Sequence, residues 1–103
     1  MKNIRDKISY WPAGSGYLVD DLEWSKIVNK MLEEIRDELI SAIVKFHPFN
    51  SGHEGYGVIL EELEELWGEI KNSKETKGNE AMRKEAIQIA AMSLRFIVDL
   101  CEE

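Results

Sequence analysis

The chain has 103 residues, 44% of them hydrophobic, and a formal net charge of −7, which predicts one small globular domain rather than a disordered chain. The negative charge disfavours binding to nucleic-acid polymers and to anionic membranes, because cationic surface supplies most of the affinity for both. A single cysteine and the absence of a long apolar segment predict a soluble, cytoplasmic protein without an intramolecular disulfide.

Residues 1–20 are predicted to form an irregular N-terminal arm ahead of a single helical domain, 21–103. Pro12 and the two glycines that follow it exclude a continuous helix in the arm. A long first helix is then predicted over 21–46, because apolar residues recur there at steps of three and four. This apolar stripe is broad enough to contact neighbours on more than one side, as in the middle of a bundle.

Two further helices are predicted after the break that Pro48 imposes. Ser51 followed by Glu54 is a capping box that opens a second helix, which ends near Lys71. Asn79 caps a third helix over 80–101. The second helix carries an apolar seam, for which core packing is the favoured role: Tyr56, Ile59, Leu60, Leu63, Leu66, Trp67 and Ile70. The predicted fold is an all-α antiparallel bundle, completed by self-association into a homodimer or homotetramer.

The second helix also carries an acidic stripe. Glu61 and Glu65 lie one turn apart, and Glu62 adjoins Glu65, so their charges repel each other. If the second and third helices are antiparallel neighbours, Glu85 meets Glu62 and Glu65, and such a cluster suits a hard divalent cation. The alternative is a plain solvated surface, since glutamate-rich helix faces are common.

At these residues the chain resembles the MazG-like all-α nucleoside triphosphate pyrophosphohydrolases, in particular a short branch found in phage and prophage settings. That family is marked by a Glu-Glu-x-x-Glu motif on one helix and a Glu-x-x-Asp motif on the next. Glu61 to Glu65 fit the first motif, and Glu85 fits the second, but Gln88 stands where the family has aspartate. The resemblance extends over about 32–100.

The resemblance implies a reaction that depends on Mg²⁺, with Mn²⁺ as a substitute, in which water attacks the α-phosphorus of a nucleoside triphosphate. It implies Glu62, Glu65 and Glu85 as metal ligands, and Glu61 as a ligand or as the carboxylate that orients the water. Gln88 coordinates through its carbonyl or hydrogen-bonds a water on the ion. Because Gln88 is neutral, it binds a cation less strongly than aspartate would.

Three other residues are weaker candidates for substrate binding. His53 either contacts phosphate or base or makes a local hydrogen bond in its turn. Lys84 either approaches the triphosphate or is a surface charge, and Arg95 is either a phosphate contact or a structural counter-ion. The rival to the enzyme is a helical dimerisation or regulatory module that keeps the fold and does not turn over nucleotide.

Overall fold

The computed structural model describes residues 21–74 and 79–102, and for Asp21 and Leu22 it describes the backbone alone. These residues form only helices, which confirms the all-α prediction: α1 (Asp21–Lys45), α2 (Gly52–Asn72), α3 (Glu80–Phe96) and a short π-helical turn (Ile97–Cys101). None of these helices is long and apolar enough to cross a membrane. The predicted irregular arm over 1–20 lies outside the described residues.

The chain divides into two compact units, 1–32 and 33–103. The described part of the first unit is the N-terminal portion of α1. The second unit contains the rest of α1, all of α2 and α3, and every residue proposed above for metal or substrate.

Both helix starts in this unit follow from side-chain caps that the sequence predicts. Ser51 Oγ accepts a hydrogen bond from the amide of Glu54 at 3.1 Å, and Asn79 Oδ1 accepts one from the amide of Met82 at 3.0 Å. The carboxylate of Glu54 reaches back to the amide of Asn50 at 3.1 Å. Each cap satisfies a backbone donor that the first helical turn leaves free, so the helices begin where the caps stand.

The third helix changes its geometry near the end. The predicted span to Cys101 is correct, but the hydrogen bonding widens after Phe96, and the amide of Glu102 donates to the carbonyl of Ile97, five residues back, at 3.0 Å. Asp99 lies in this widened turn and accepts a hydrogen bond from the amide of Phe49 at 3.0 Å. The turn is thereby joined to the connection between α1 and α2.

Helices α2 and α3 are antiparallel neighbours, as predicted. Gly55 near the start of α2 lies against Phe96 at the end of α3. Farther along, Glu62 and Glu65 of α2 meet Glu85 near the start of α3. Ser73 and Asn79, which flank the loop between the two helices, share a hydrogen bond of 2.7 Å.

Arg95 connects α3 to the C-terminal end of α1. Its guanidinium is buried and donates from Nη1 to the carbonyl of Ala42 and from Nη2 to the carbonyl of Phe46, both at 2.7 Å. Its Nε donates to Asp99 at 3.0 Å, and the group stacks over Phe49 with 5.6 Å to the ring centroid. Arg95 therefore holds two carbonyl groups at the end of α1, of which that of Ala42 also accepts from the amide of Phe46 at 2.9 Å, and it neutralises Asp99.

Few apolar side chains are covered within this single chain. Among the described residues, the buried hydrophobic ones are Ala42 and Ala91, and no large side chain is fully buried. The seam on α2 is exposed, with Tyr56 at 64% and Trp67 at 56% of their full accessible area. The core packing that the seam predicts for these two side chains is therefore not supplied by the described part of the chain.

The close approach of α2 and α3 at Gly55 leads to a stability prediction. A Cβ atom at Gly55 would lie 2.5 Å from Cδ2 of Phe96 and 3.2 Å from Cδ2 of Phe49. We expect Gly55→Ala to lower the free energy of unfolding by about 1–3 kcal/mol, because the ring must move out of a packed position.

Gly57→Ala is the matched control, since a Cβ there meets nothing within 4 Å. It should raise the free energy of unfolding by about 0.5–1 kcal/mol through helix propensity alone. Urea denaturation of both variants measures the difference. Equal effects of the two substitutions would show that Gly55 is not a packing constraint.

Candidate metal centre

Three carboxylates from two helices converge at the centre of the candidate site. Glu62, Glu65 and Glu85 each offer one oxygen, and these oxygens all lie within 4.8 Å of one another. Glu62 and Glu65 share a face of α2 because they are three residues apart, and the antiparallel packing brings Glu85 of α3 to that face. The predicted meeting of the two acidic segments is confirmed.

Two of the carboxyl oxygens in this cluster are buried without a donor. Oε2 of Glu62 and Oε2 of Glu85 are inaccessible to solvent and have no hydrogen-bond partner among the described residues. Ionised carboxylates only accept hydrogen bonds, so they cannot satisfy each other. A buried unpaired charge is costly, and the cluster needs either a proton or a cation to neutralise it.

The electrostatics show what the cluster does without a cation. Burial, repulsion from Glu65 and the close carboxyl of Glu85 raise the pKa of Glu62 from 4.5 to about 7. The carboxyl of Glu85 also raises the pKa of Glu65, while Glu62 and the ammonium of Lys84 act in the opposite direction. A proton on Glu62 is therefore one way to neutralise the cluster, and a bound cation is the other.

The residues present fit a magnesium ion. Mg²⁺ prefers carboxylate and water oxygens at about 2.0–2.1 Å, so two oxygens on one ion are at most about 4.2 Å apart. The three oxygens lie within 4.8 Å of one another, and small side-chain rotations bring them into range. The set leaves coordination positions for water and for a phosphate, as Mg²⁺ usually requires.

A cavity of about 570 Å³ adjoins this cluster at Glu62. Glu61 and Gln88 also line the cavity, so two of the predicted site residues border both the acids and the open space. The volume falls within the range of about 300–1,000 Å³ that is usual for small-molecule pockets.

The remaining sequence candidates are placed differently. Arg95 lies in the cavity wall, but its guanidinium donates to protein acceptors, which favours the counter-ion alternative with Asp99 as its partner. Lys84 is exposed and close enough to Glu65 to act on it electrostatically. His53 is exposed in the first turn of α2 and is not part of the cavity lining.

Among the cavity residues that were not candidates from sequence are Glu38, Lys45, Phe46 and His47. They lie at the end of α1 and in the connection to α2. The sequence gives their spacing from Pro48, which marks the break after α1, but their proximity to Glu62 depends on how α1 packs against the other two helices.

Compared with protein-family models, curated proteins and solved structures, the chain matches none of them.

The raised pKa of Glu62 leads to a prediction for the metal-free protein. Because folding raises this pKa from 4.5 to about 7, the folded state binds more protons than the unfolded state in that interval, and stability falls as pH rises through it. Melting temperatures in EDTA should therefore decline from pH 4.5 to about 7, and Glu62→Gln should remove part of that decline.

Mg²⁺ should raise the melting temperature more at pH 8 than at pH 5, because the ion replaces the proton. Identical pH profiles for the wild type and the variant would contradict this prediction.

Proposed function

We propose that this protein is a MazG-like, magnesium-dependent nucleoside triphosphate pyrophosphohydrolase. The observation that carries the proposal is the pair of buried, donor-free carboxyl oxygens of Glu62 and Glu85, on two helices, beside a cavity large enough for a nucleotide. A solvated acidic surface does not bury its oxygens, so the arrangement favours a bound cation over the surface alternative.

In the proposed reaction, a water oxygen forms a bond to the α-phosphorus and the bond from that phosphorus to the bridging oxygen breaks. Pyrophosphate leaves with the bond electrons, and the water gives up a proton. When bound, the metal ion neutralises charge on the phosphate oxygens and lowers the pKa of water.

The residues of the chain have separate roles in this proposal. Glu62, Glu65 and Glu85 hold the ion. Glu61 is exposed and lines the cavity beside Glu62, which suits a carboxylate that orients the attacking water and accepts its proton. Gln88 is half-buried on the same wall and offers its carbonyl as a neutral ligand or its amide to phosphate.

The test is pyrophosphate release from a panel of ribo- and deoxynucleoside triphosphates with Mg²⁺ or Mn²⁺. Turnover that requires the metal and yields a nucleoside monophosphate and pyrophosphate supports the enzyme. If no triphosphate in the panel is hydrolysed with either metal, the enzyme proposal fails.

The exposed apolar seam on α2 supports self-association as the second part of the proposal. Tyr56, Leu63 and Trp67 are between 45% and 64% exposed in one chain, and stable dimers bury surface of this apolar kind. The same seam suits the rival function, a dimerisation or regulatory module without turnover, and the hydrolysis panel separates the two.

We expect the wild-type protein to be a homo-oligomer and Trp67→Glu to shift it toward monomer, because the carboxylate would be buried unpaired in the interface. Light scattering after size-exclusion chromatography measures the mass. Lys74→Gln is the charge-matched control, since it also lowers the net charge by one unit and Lys74 is an exposed residue beyond the end of α2. A monomeric wild type, or an unchanged mass for Trp67→Glu, would exclude this seam as the interface.

A further inference from the structure

The cavity beside Glu62 has apolar walls and polar groups that point to the kind of base it accepts. Val58 of α2 and Met92 of α3 are half-buried on its walls, and Phe46 presents an exposed ring. Flat apolar surfaces of this kind bind the faces of a heterocycle. The polar groups among them determine which edge the heterocycle presents.

Most of these polar groups are hydrogen-bond acceptors. Glu38 of α1 is half-buried in the wall, and Glu54 lies at the start of α2 with one oxygen already holding the amide of Asn50. His47 Nδ1 lies 3.0 Å from the carbonyl of Pro48. A carbonyl only accepts, so Nδ1 carries a hydrogen in this contact.

Donors are fewer on the same walls. The guanidinium of Arg95 is only 3% exposed and donates to Ala42, Phe46 and Asp99. Lys45 is exposed and brings an ammonium group to the cavity. Ser41 and Gln88 also line the cavity and can each donate or accept. The cavity thus combines several carboxylate acceptors with two neutral donors and one exposed cationic donor.

We propose that this cavity binds the nucleobase and selects bases that carry an exocyclic amino group, namely cytosine, adenine and guanine, over thymine and uracil. Glu38 is the specificity-determining residue. It is half-buried in the cavity wall, and it belongs neither to the acidic cluster, as Glu62 does, nor to the capping box, as Glu54 does. The selection of a substrate rests on the proposed pyrophosphohydrolase, whereas the binding preference of the cavity does not.

The chemistry of the base edges gives the direction of the preference. An amino group donates to a carboxylate, and such charge-assisted hydrogen bonds are among the strong ones. Thymine and uracil present a carbonyl oxygen at the position where cytosine has its amino group. At that position two acceptors then face each other, and thymine and uracil offer the carboxylate only the adjacent N3–H in place of an amino group.

Two measurements on the wild-type protein test the inference. The first compares kcat/KM for dCTP, dATP and dGTP with that for dTTP and dUTP in Mg²⁺. The second titrates dCMP and dTMP into the protein in EDTA and follows amide chemical shifts. We expect the amino-bearing bases to be favoured by about tenfold or more in each measurement, in line with one hydrogen bond to a charged group.

Glu38→Gln adds a test of the residue. An amide both donates and accepts, so the ratio of dCTP to dTTP should fall toward one. Glu33→Gln, an exposed change on the same helix, should leave the ratio unchanged. If Glu38→Gln does not fold, the wild-type ratios decide the inference.

The outcomes separate this inference from the proposed function. Hydrolysis of all the triphosphates at similar rates, or a preference for thymine, overturns the inference and leaves the enzyme standing. No hydrolysis, but tighter binding of dCMP than of dTMP, overturns the enzyme and supports the cavity. If neither monophosphate binds and nothing is hydrolysed, both are overturned.

Discussion

Glu62→Gln is expected to lower kcat/KM for triphosphate hydrolysis by about 100-fold or more, since it replaces the charged carboxylate of a proposed metal ligand with a neutral amide, and even residues that only orient metal ligands are worth about 10–100-fold. The helical content should not change. In EDTA at pH 8 the variant should melt no lower than the wild type. Burial and the neighbouring carboxyls of Glu65 and Glu85 destabilise the charged form of Glu62, and the neutral glutamine removes that unfavourable charge. Loss of activity without loss of stability is the signature of a ligand rather than of a packing residue.

Glu64→Gln is the matched control for this prediction. Glu64 is exposed on the same helix and does not belong to the three-carboxylate cluster, so the variant should retain wild-type kinetics. Pyrophosphate release measured at saturating Mg²⁺ and at limiting Mg²⁺ separates weaker metal binding from slower chemistry. Wild-type turnover in Glu62→Gln would remove Glu62 from the metal centre.

Arg95→Ala is expected to cause the largest loss of stability, about 3–5 kcal/mol in the free energy of unfolding. The side chains of Arg95 and Asp99 are only 3% and 10% exposed, so removing the cation leaves a carboxylate desolvated and without its partner. The carbonyl of Phe46 loses the donor that Arg95 supplied, and the carbonyl of Ala42 keeps only its bond from the amide of Phe46. A domain of this size has only about 5–15 kcal/mol in total, so the variant should be partly unfolded at moderate temperature.

Urea denaturation with Arg36→Ala as the control measures this effect. Arg36 is exposed on α1, and its removal should change stability by less than about 0.5 kcal/mol. The double variant Arg95→Met, Asp99→Asn should be more stable than Arg95→Ala, because no charge is left unpaired and the asparagine oxygen still accepts from Phe49. Similar stabilities for Arg95→Ala and Arg36→Ala would show that the buried pair is not what holds α1 to α3.

The helix boundaries were predictable because their determinants are local. Ser51 and Asn79 each cap a helix through a bond to a residue three positions later, and such pairs can be read directly from a sequence. The meeting of Glu62, Glu65 and Glu85 was also predictable, given the helical period of the acids and an antiparallel arrangement of α2 and α3.

The role of Arg95 was not predictable from sequence, because its acceptors are distant in the chain. Asp99 is four residues from Arg95 in the chain, so the spacing predicts an ion pair. The carbonyls of Ala42 and Phe46 are 53 and 49 residues from Arg95, and no local spacing relates them to it. Backbone acceptors carry no signature of residue type. The sequence therefore left the counter-ion and the phosphate contact equally open, and long-range packing favours the counter-ion.

The cavity was not predictable for a similar reason. Its walls come from the end of α1, from the connection that follows it, and from the facing sides of α2 and α3. His47 and Lys45 carry no spacing that relates them to Glu62, and only the packing of the three helices brings them to one space. The exposed seam differs from the cavity in this respect. The apolar pattern from Tyr56 to Ile70 predicts the position of the seam on α2, but it does not predict which surface covers the seam.

Titration of Mn²⁺ into the wild type and Glu85→Gln, followed by the electron paramagnetic resonance of the free ion, tests the central claim most directly. Hydrolysis and base selection by the enzyme both require that side chains of α2 and α3 share one ion. We predict saturable binding to the wild type at neutral pH and a loss of affinity of about tenfold or more in Glu85→Gln, because the charged ligand proposed from α3 has become neutral. Equal Mn²⁺ binding by both proteins, or no binding by the wild type, would contradict the metal centre.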